Sequence, residues 1–158
     1  MDEAAKKQAL RSFTYGLYAV TTGTVDDVGV FTANWVSQVS FDPPLVVVSV
    51  ENDAYSLPLL QRSRHFAVNV YSDDQRELSG ALGKPHSRHP EKARALRLAP
   101  GETGCPLWLD GLASVECALE SQLPAGDSTL VLGRVVNAIV HREGEPLTMR
   151  AAGFKHAG

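Results

Sequence analysis

Two long runs with the periodicity of β-strands, joined by four turn-forming residues, dominate the second half of this sequence. In the first run, apolar and polar residues alternate from Ala113 to Leu123, which is typical of a strand with one face in solvent. The second run, Ser128 to His141, is apolar on nearly both faces, and residues 124–127 (Pro-Ala-Gly-Asp) favour a turn. The pattern predicts two long antiparallel strands.

Four earlier segments, rich in β-branched, aromatic or other apolar residues, are also predicted as strands: Leu17–Thr22, Val28–Ala33, Leu45–Val50 and His65–Tyr71. Helices are predicted to open at Asp2, at Ser56, and at Asp74 with Glu77 in a capping box, whereas residues 83–104 are predicted as a long loop. Strands and helices do not alternate strictly, so a doubly wound parallel sheet is disfavoured. We predict one domain over residues 1–158, mainly β with helical insertions, built as an antiparallel barrel.

Charge and hydropathy restrict the partners of the chain. The formal net charge is -3 over 158 residues, so there is no general basic surface for a nucleic acid or an anionic membrane. No segment has the character of a signal peptide or a membrane span, and we expect a cytoplasmic protein. The two cysteines, Cys105 and Cys117, are too few for a disulfide framework or a zinc site, and we expect reduced thiols.

A polar segment between two apolar strands, residues 32–44, is the first candidate site. Its Thr, Asn, Gln and Ser side chains can hydrogen-bond the polar edge of a ring or a phosphate. The same segment equally fits a polar connection with a helical turn. Residue chemistry alone therefore leaves both interpretations open.

Other motifs point away from several enzyme classes. The sequence contains no Gly-x-Ser-x-Gly elbow and no Gly-rich phosphate loop, which disfavours α/β-hydrolases, Rossmann enzymes and P-loop enzymes. His86 and His89 share a loop, but no Cys or acidic pattern accompanies them, so we interpret them as solvated and predict no metal site.

Several short motifs, taken in order along the chain, carry a resemblance to a known family. Each is weak alone, but their order and spacing are specific: Gly29–Asn34, Val39–Val46, Phe66–Val70, Gly126–Asp127 with Leu130–Val136, and Gly144–Leu147 with Gly153–Phe154. Together they resemble the flavin reductase family of FMN-binding split barrels, from about Phe13 to Gly158. The resemblance implies a six-stranded antiparallel split β-barrel that forms a homodimer, with FMN in a groove near the subunit interface.

The resemblance also implies a set of flavin contacts. Residues lining the flavin ring and the ribityl chain would be Thr32, Ala33 and Asn34, with main-chain and hydroxyl contacts from Val39 and Ser40. The family's phosphate-side loop corresponds to residues 52–56, with Asn52, Tyr55 and Ser56. Ser56 has an independent basis, because the positive end of the helix that it opens suits an anion; a plain N-cap is the alternative.

Three further positions are singled out. Lys84 lies where the family often places a basic loop near the phosphate or the nicotinamide nucleotide, although surface lysines are common. Trp35 is expected to wall the flavin ring, to fill the dimer interface, or simply to be buried. Many family members carry a histidine after Gly-Asp, near the flavin and the nicotinamide, whereas this chain has Ser128, which cannot carry the charge of an imidazole.

The resemblance implies an NAD(P)H-dependent flavin reductase that takes FMN, with FAD as an alternative. The nicotinamide would pass a hydride from C4 to N5 of the flavin, and reduced flavin or electrons would go to a partner such as a monooxygenase. Because the cofactor supplies this chemistry, no side chain is assigned as a catalytic acid or base. Two alternatives remain: an FMN-binding electron-transfer flavoprotein of flavoredoxin type, which Ser128 favours, and a split-barrel module for another ligand.

Overall fold

A seven-stranded antiparallel sheet forms the body of the computed structural model, which describes residues 1–158. The strands are, in chain order, β1 (Tyr18–Gly23), β2 (Val28–Ala33), β3 (Val36–Phe41), β4 (Pro44–Glu51), β5 (His65–Val70), β6 (Leu98–Pro100), β7 (Pro106–Trp108), β8 (Ala113–Ala125) and β9 (Ser128–Val140). The main sheet runs β2-β1-β5-β8-β9-β4-β3, while β6 and β7 form a separate pair. The helices are α1 (Glu3–Arg11), α2 (Ser56–Ser63), α3 (Arg76–Leu82) and α4 (Met149–Ala152), with 3-10 turns at Asp73–Gln75 and Lys92–Ala95.

The mainly β character and the two long strands β8 and β9 are confirmed, but the predicted six-stranded barrel is wrong in strand number and in closure. The sheet is open, because β2 and β3 form its two edges and do not pair with each other. The additional strand, β3, lies within the polar segment, where Val36 pairs with Val48 of β4. Since an edge strand can expose both faces, its polar side chains gave no strand signal.

Helix boundaries follow local capping, with two corrections. Asp2 caps α1 as predicted, and its carboxylate accepts from the amides of Ala4 and Ala5. Ser56 is not the N-cap of α2: it is the first helical residue, and Tyr55 precedes it. The predicted Asp74 capping box is also wrong, since the box is formed two residues earlier by Ser72 and Gln75.

The polar face of β8 is buried at its N-terminal half, contrary to the wet face that the alternation predicted. The residues around Gly101 to Cys105 cover this face, and Glu116 is fully buried. Its carboxylate accepts hydrogen bonds from the amides of Glu102 and Thr103, the Thr103 hydroxyl and the Asn137 amide. Burial alone would raise the pKa of Glu116, but these hydrogen bonds hold it below its ordinary value.

Two apolar clusters fill the interior. One contains Phe66, Val48 and Cys117; the other contains Tyr71 and Trp108, whose rings meet edge-on at 5.3 Å. Desolvation raises the pKa of Cys117 to about 12, so the thiol is protonated. None of the helices combines the length and the hydropathy that crossing a bilayer requires.

Candidate functional site

A cavity of about 480 Å³ opens where β2 and β4 end. Its wall comes from β2, from the two residues that link β2 to β3, from β4, from α3 and the loop after it, and from the C-terminal segment. The lining residues are Leu17, Phe31, Thr32, Ala33, Asn34, Trp35, Ser49, Glu51, Ala54, Ser79, Gly80, Gly83, Lys84, Pro85, Ser128, Met149, Phe154 and His156. The volume lies within the range of small-molecule sites.

The open edge of the sheet explains why a cavity forms here. The chain leaves β2 through Asn34 and Trp35 and enters β3, and no ladder joins β2 to β4. The link is fixed to β4 by a hydrogen bond from the Ser49 amide to the Trp35 carbonyl, 3.0 Å long. A gap lined by strand ends therefore remains between two fixed walls.

Thr32 is held in the wall by a hydrogen-bond chain. Its hydroxyl donates to the Ser79 carbonyl at 2.6 Å, so the contact with the Tyr71 hydroxyl at 2.8 Å must be donated by Tyr71. Tyr71 is fully buried, and desolvation raises its pKa well above the ordinary value. The Thr32 hydroxyl can therefore offer a ligand only an acceptor.

Asn34 is also oriented by its partners. Its amide nitrogen donates to the carbonyl of His156 at 2.9 Å and to the Met149 sulfur at 3.3 Å, which uses both of its protons. The carboxamide oxygen is left as an acceptor suited to an N–H group of a ligand. Asn34 thus joins the β2 end of the cavity to the C-terminal segment.

Trp35 is 40% exposed, so simple burial does not describe it. Its ring centroid lies 5.4 Å from that of His156, and the planes are tilted by 43°. The two rings form one aromatic corner of the cavity.

The ionisable groups that line the cavity are Glu51, Lys84 and His156. Lys84 forms no ion pair, so its charge is available to an anion. The loop that carries Lys84 is anchored by Lys92. The Lys92 ammonium donates to the carbonyls of Leu82 at 2.8 Å and Lys84 at 2.7 Å, and desolvation lowers its pKa. These two bonds fix the backbone from which the Lys84 side chain extends.

The cavity brings together six of the residues predicted as flavin contacts: Thr32, Ala33, Asn34, Trp35, Lys84 and Ser128. Ser128 is buried, and its hydroxyl donates to Asp127 at 3.2 Å.

The other five predicted residues lie outside the lining. Val39 and Ser40 lie on the edge strand β3, where the Val39 side chain is exposed. Asn52 joins its turn to the β8–β9 turn by donating to the carbonyl of Gly126 at 3.2 Å. Tyr55 stacks on His86 with centroids 3.6 Å apart, and Ser56 is buried at the start of α2. Of the residues 52–56, Ala54 is the one that lines the cavity.

Sequence reasoning missed the C-terminal wall. Met149, Phe154 and His156 are more than a hundred residues from Thr32 along the chain, and α4 was not predicted because it has four residues. The Gly153-Phe154 motif of the resemblance pointed to this segment but gave it no role.

Known proteins match almost the whole length of this chain. The model of the flavin reductase like domain matches residues 10–158. The NADH-type FMN reductase SmoA of Agrobacterium fabrum is 33% identical over 94% of this chain and 82% of its own. HsaB of Rhodococcus jostii, the reductase subunit of a flavin-dependent monooxygenase, is 31% identical over 93% of this chain and 74% of its own.

A solved structure of the same activity class has a similar fold. The Streptomyces globisporus NADH:FAD oxidoreductase SgcE6, in complex with NAD and FAD fragments, superposes with a TM-score of 0.78 and 31% identity, over 90% of this chain and 86% of that one. Against other curated relatives, the chain spans only 50%, 57% or 62% of their length. The match over residues 10–158 nevertheless covers almost all of this chain. The chain therefore belongs to the family of flavin reductase-like domains.

Proposed function

We propose that this chain is an NAD(P)H-dependent flavin reductase that binds FMN, with FAD as an alternative, in the cavity between β2 and β4. The observation that carries the proposal is the convergence, in one cavity, of the segment Thr32–Trp35 with Lys84 and Ser128. SmoA, HsaB and SgcE6 carry names of the same activity class. The proposal treats residues 1–158 as one domain.

The lining fits a flavin nucleotide. The Asn34 carboxamide oxygen is an acceptor for a ring N–H group, and Trp35 offers a half-open aromatic face. Lys84 is a free cation for the phosphate, on a backbone held by Lys92. When bound, the flavin would accept a hydride from the nicotinamide; the residues orient the rings and exclude water.

The five predicted contacts outside the lining remain predictions of the resemblance: Val39, Ser40, Asn52, Tyr55 and Ser56. A homodimer would bring the exposed apolar side chains of β3 and β9 into an interface. Phe41 is 90% exposed and Val140 is 79% exposed, which is unfavourable for a free surface. Light scattering on a size-exclusion column tests the dimer: a mass of one chain contradicts it.

We propose that the protein acts in the cytoplasm, where reduced nicotinamide nucleotides are available. We also propose that it supplies reduced flavin to a partner such as a monooxygenase, as the name of HsaB describes for that protein. The second candidate is an electron-transfer flavoprotein reduced by a protein partner. Ser128 favours it, because its hydroxyl is committed to Asp127 and offers no charge to a nicotinamide.

An anaerobic titration separates these functions. FMN is added to the purified protein, binding is measured by quenching of flavin fluorescence, and NADH or NADPH is then added. Rapid bleaching of the flavin absorbance supports the reductase, and binding without bleaching supports the electron-transfer function. Unchanged fluorescence and unchanged melting temperature with FMN contradict both.

A matched pair of variants tests the site itself. Lys84→Gln should weaken FMN binding about tenfold and leave riboflavin binding unchanged, because only FMN carries the phosphate. Arg88→Gln, in the same loop but outside the lining, is the control and should bind FMN normally.

A further inference from the structure

The C-terminal segment reaches the cavity because of the geometry of α4. Thr148 caps this helix by accepting from the Ala151 amide, and Gly153 ends it in the left-handed conformation, with φ of 74°. The Phe154 amide then donates to the Met149 carbonyl, and the Phe154 ring lies under the guanidinium of Arg76. The chain is thereby directed back towards β2.

His156 is held at the cavity by three different contacts. Its carbonyl accepts from the Asn34 amide at 2.9 Å, its ring lies against Trp35, and its Nε2 atom lies 3.8 Å from a carboxylate oxygen of Glu51. Glu51 is paired with Ser128 across the β4–β9 ladder. His156 and Ser128 therefore both neighbour Glu51, and all three residues line the cavity.

The part of His156 that is left for a ligand is its imidazole ring. The backbone carbonyl is used by Asn34, whereas the Nε2 atom lies 3.8 Å from Glu51, beyond hydrogen-bond distance. The His156 side chain is 61% exposed and that of Glu51 is 60%, so the contact between them adds little stability by itself. What the arrangement does achieve is to fix a flat aromatic surface beside Trp35.

We propose that His156 is a flavin-binding residue of this site, where it forms with Trp35 an aromatic wall that packs against the flavin ring. This inference rests on the proposed function. Packing between aromatic rings changes an equilibrium constant by about two- to tenfold. His156 thus supplies an imidazole to the cavity, to which the β8–β9 hairpin contributes Ser128.

The test compares His156→Ala with His156→Phe, using His89→Ala as a control on a histidine outside the lining. His156→Ala should raise the Kd for FMN and the Kd for riboflavin equally, by about three- to tenfold, because the contact is to the ring. His156→Phe retains an aromatic face and should stay within about twofold of the unchanged protein. His89→Ala should change nothing, and circular dichroism should show all variants folded.

A second readout does not depend on affinity. In nuclear magnetic resonance spectra of the unmodified protein, added FMN should shift the imidazole signals of His156 and leave those of His89 in place. Unshifted His156 signals, or a His156→Ala variant with unchanged Kd for both flavins, overturn the inference and leave the proposed function standing. A rise in the KM for NADH alone also overturns it, since the imidazole would then meet the nicotinamide. If the unmodified protein binds no flavin, the proposed function itself fails.

Discussion

Replacing the buried carboxylate of Glu116 by the isosteric amide should lower the stability of this chain markedly. Its Oε1 atom accepts from the amide of Thr103 at 2.7 Å and from the hydroxyl of the same residue at 2.5 Å. Its Oε2 atom accepts from the Glu102 amide at 3.0 Å and from Asn137 at 3.2 Å. In Glu116→Gln, the new NH₂ group faces a backbone N–H donor at either position, and its second partner, the Thr103 hydroxyl or the Asn137 carboxamide, must turn from donor to acceptor.

The magnitude follows from the bonds that are lost. Hydrogen bonds to charged groups contribute about 1.5–3 kcal/mol each, and two of them are lost. Part of this loss is offset, because the neutral amide no longer requires a charge to be buried. We therefore expect the free energy of unfolding to fall by about 2–4 kcal/mol at pH 7. Because the folded pKa of Glu116 lies below its ordinary value, this contribution is complete above the unfolded pKa and disappears as pH falls through the folded pKa.

The assay is urea unfolding followed by tryptophan fluorescence, at pH 7 and again below about pH 4. Glu120→Gln is the matched control: it lies on the same strand, is exposed, and pairs with Arg134 at 3.4 Å, so it should cost less than about 1 kcal/mol. A Glu116→Gln variant as stable as the control would refute the reasoning. So would a difference from the unmodified protein that grows as the pH is lowered.

Three other substitutions have defined outcomes. Lys92→Met removes both bonds that hold the Lys84 backbone and should raise the Kd for FMN about three- to tenfold, with faster amide exchange at residues 82–84; unchanged exchange would contradict the anchoring role. Ser128→His should increase NADH turnover by adding an imidazole at the hairpin, and equal or lower turnover would count against that role. Gly133→Ala would place a Cβ atom 2.5 Å from the Phe66 ring and 2.7 Å from Cys117, so the free energy of unfolding should fall by about 1–3 kcal/mol; a melting temperature equal to that of the unmodified protein would rule out this overlap.

The parts of the fold that could be predicted are those determined by local patterns. The apolar run of β4, the β8–β9 hairpin and the Asp2 cap each depend on neighbouring residues, and each is present. Strand β3 could not be recognised, because a polar edge strand is determined by its partner β4 rather than by its own composition. The alternation predicts a solvated Glu116 for the same reason: the segment that buries it lies outside its own strand.

The candidate site divides in the same way. Residues Thr32 to Trp35 can be predicted as a site because polar side chains follow an apolar strand. The family resemblance adds that the ligand is a flavin. Phe154 and His156 complete the cavity only after α4 turns the chain back, which depends on tertiary contacts through Asn34. No local pattern around His156 carries that information.

The unpaired edges of the sheet have a mechanical consequence. In the order of the strands, β2 is first and β4 is sixth, so no ladder joins their ends, and the hydrogen bond from Ser49 to Trp35 links them instead. A rigid planar ligand that contacts both strand ends would restrict their motion relative to each other. Amide exchange should then slow at Thr32 to Trp35 and at Ser49 to Glu51 together, while the β8–β9 ladder, already closed by its own bonds, stays as it was.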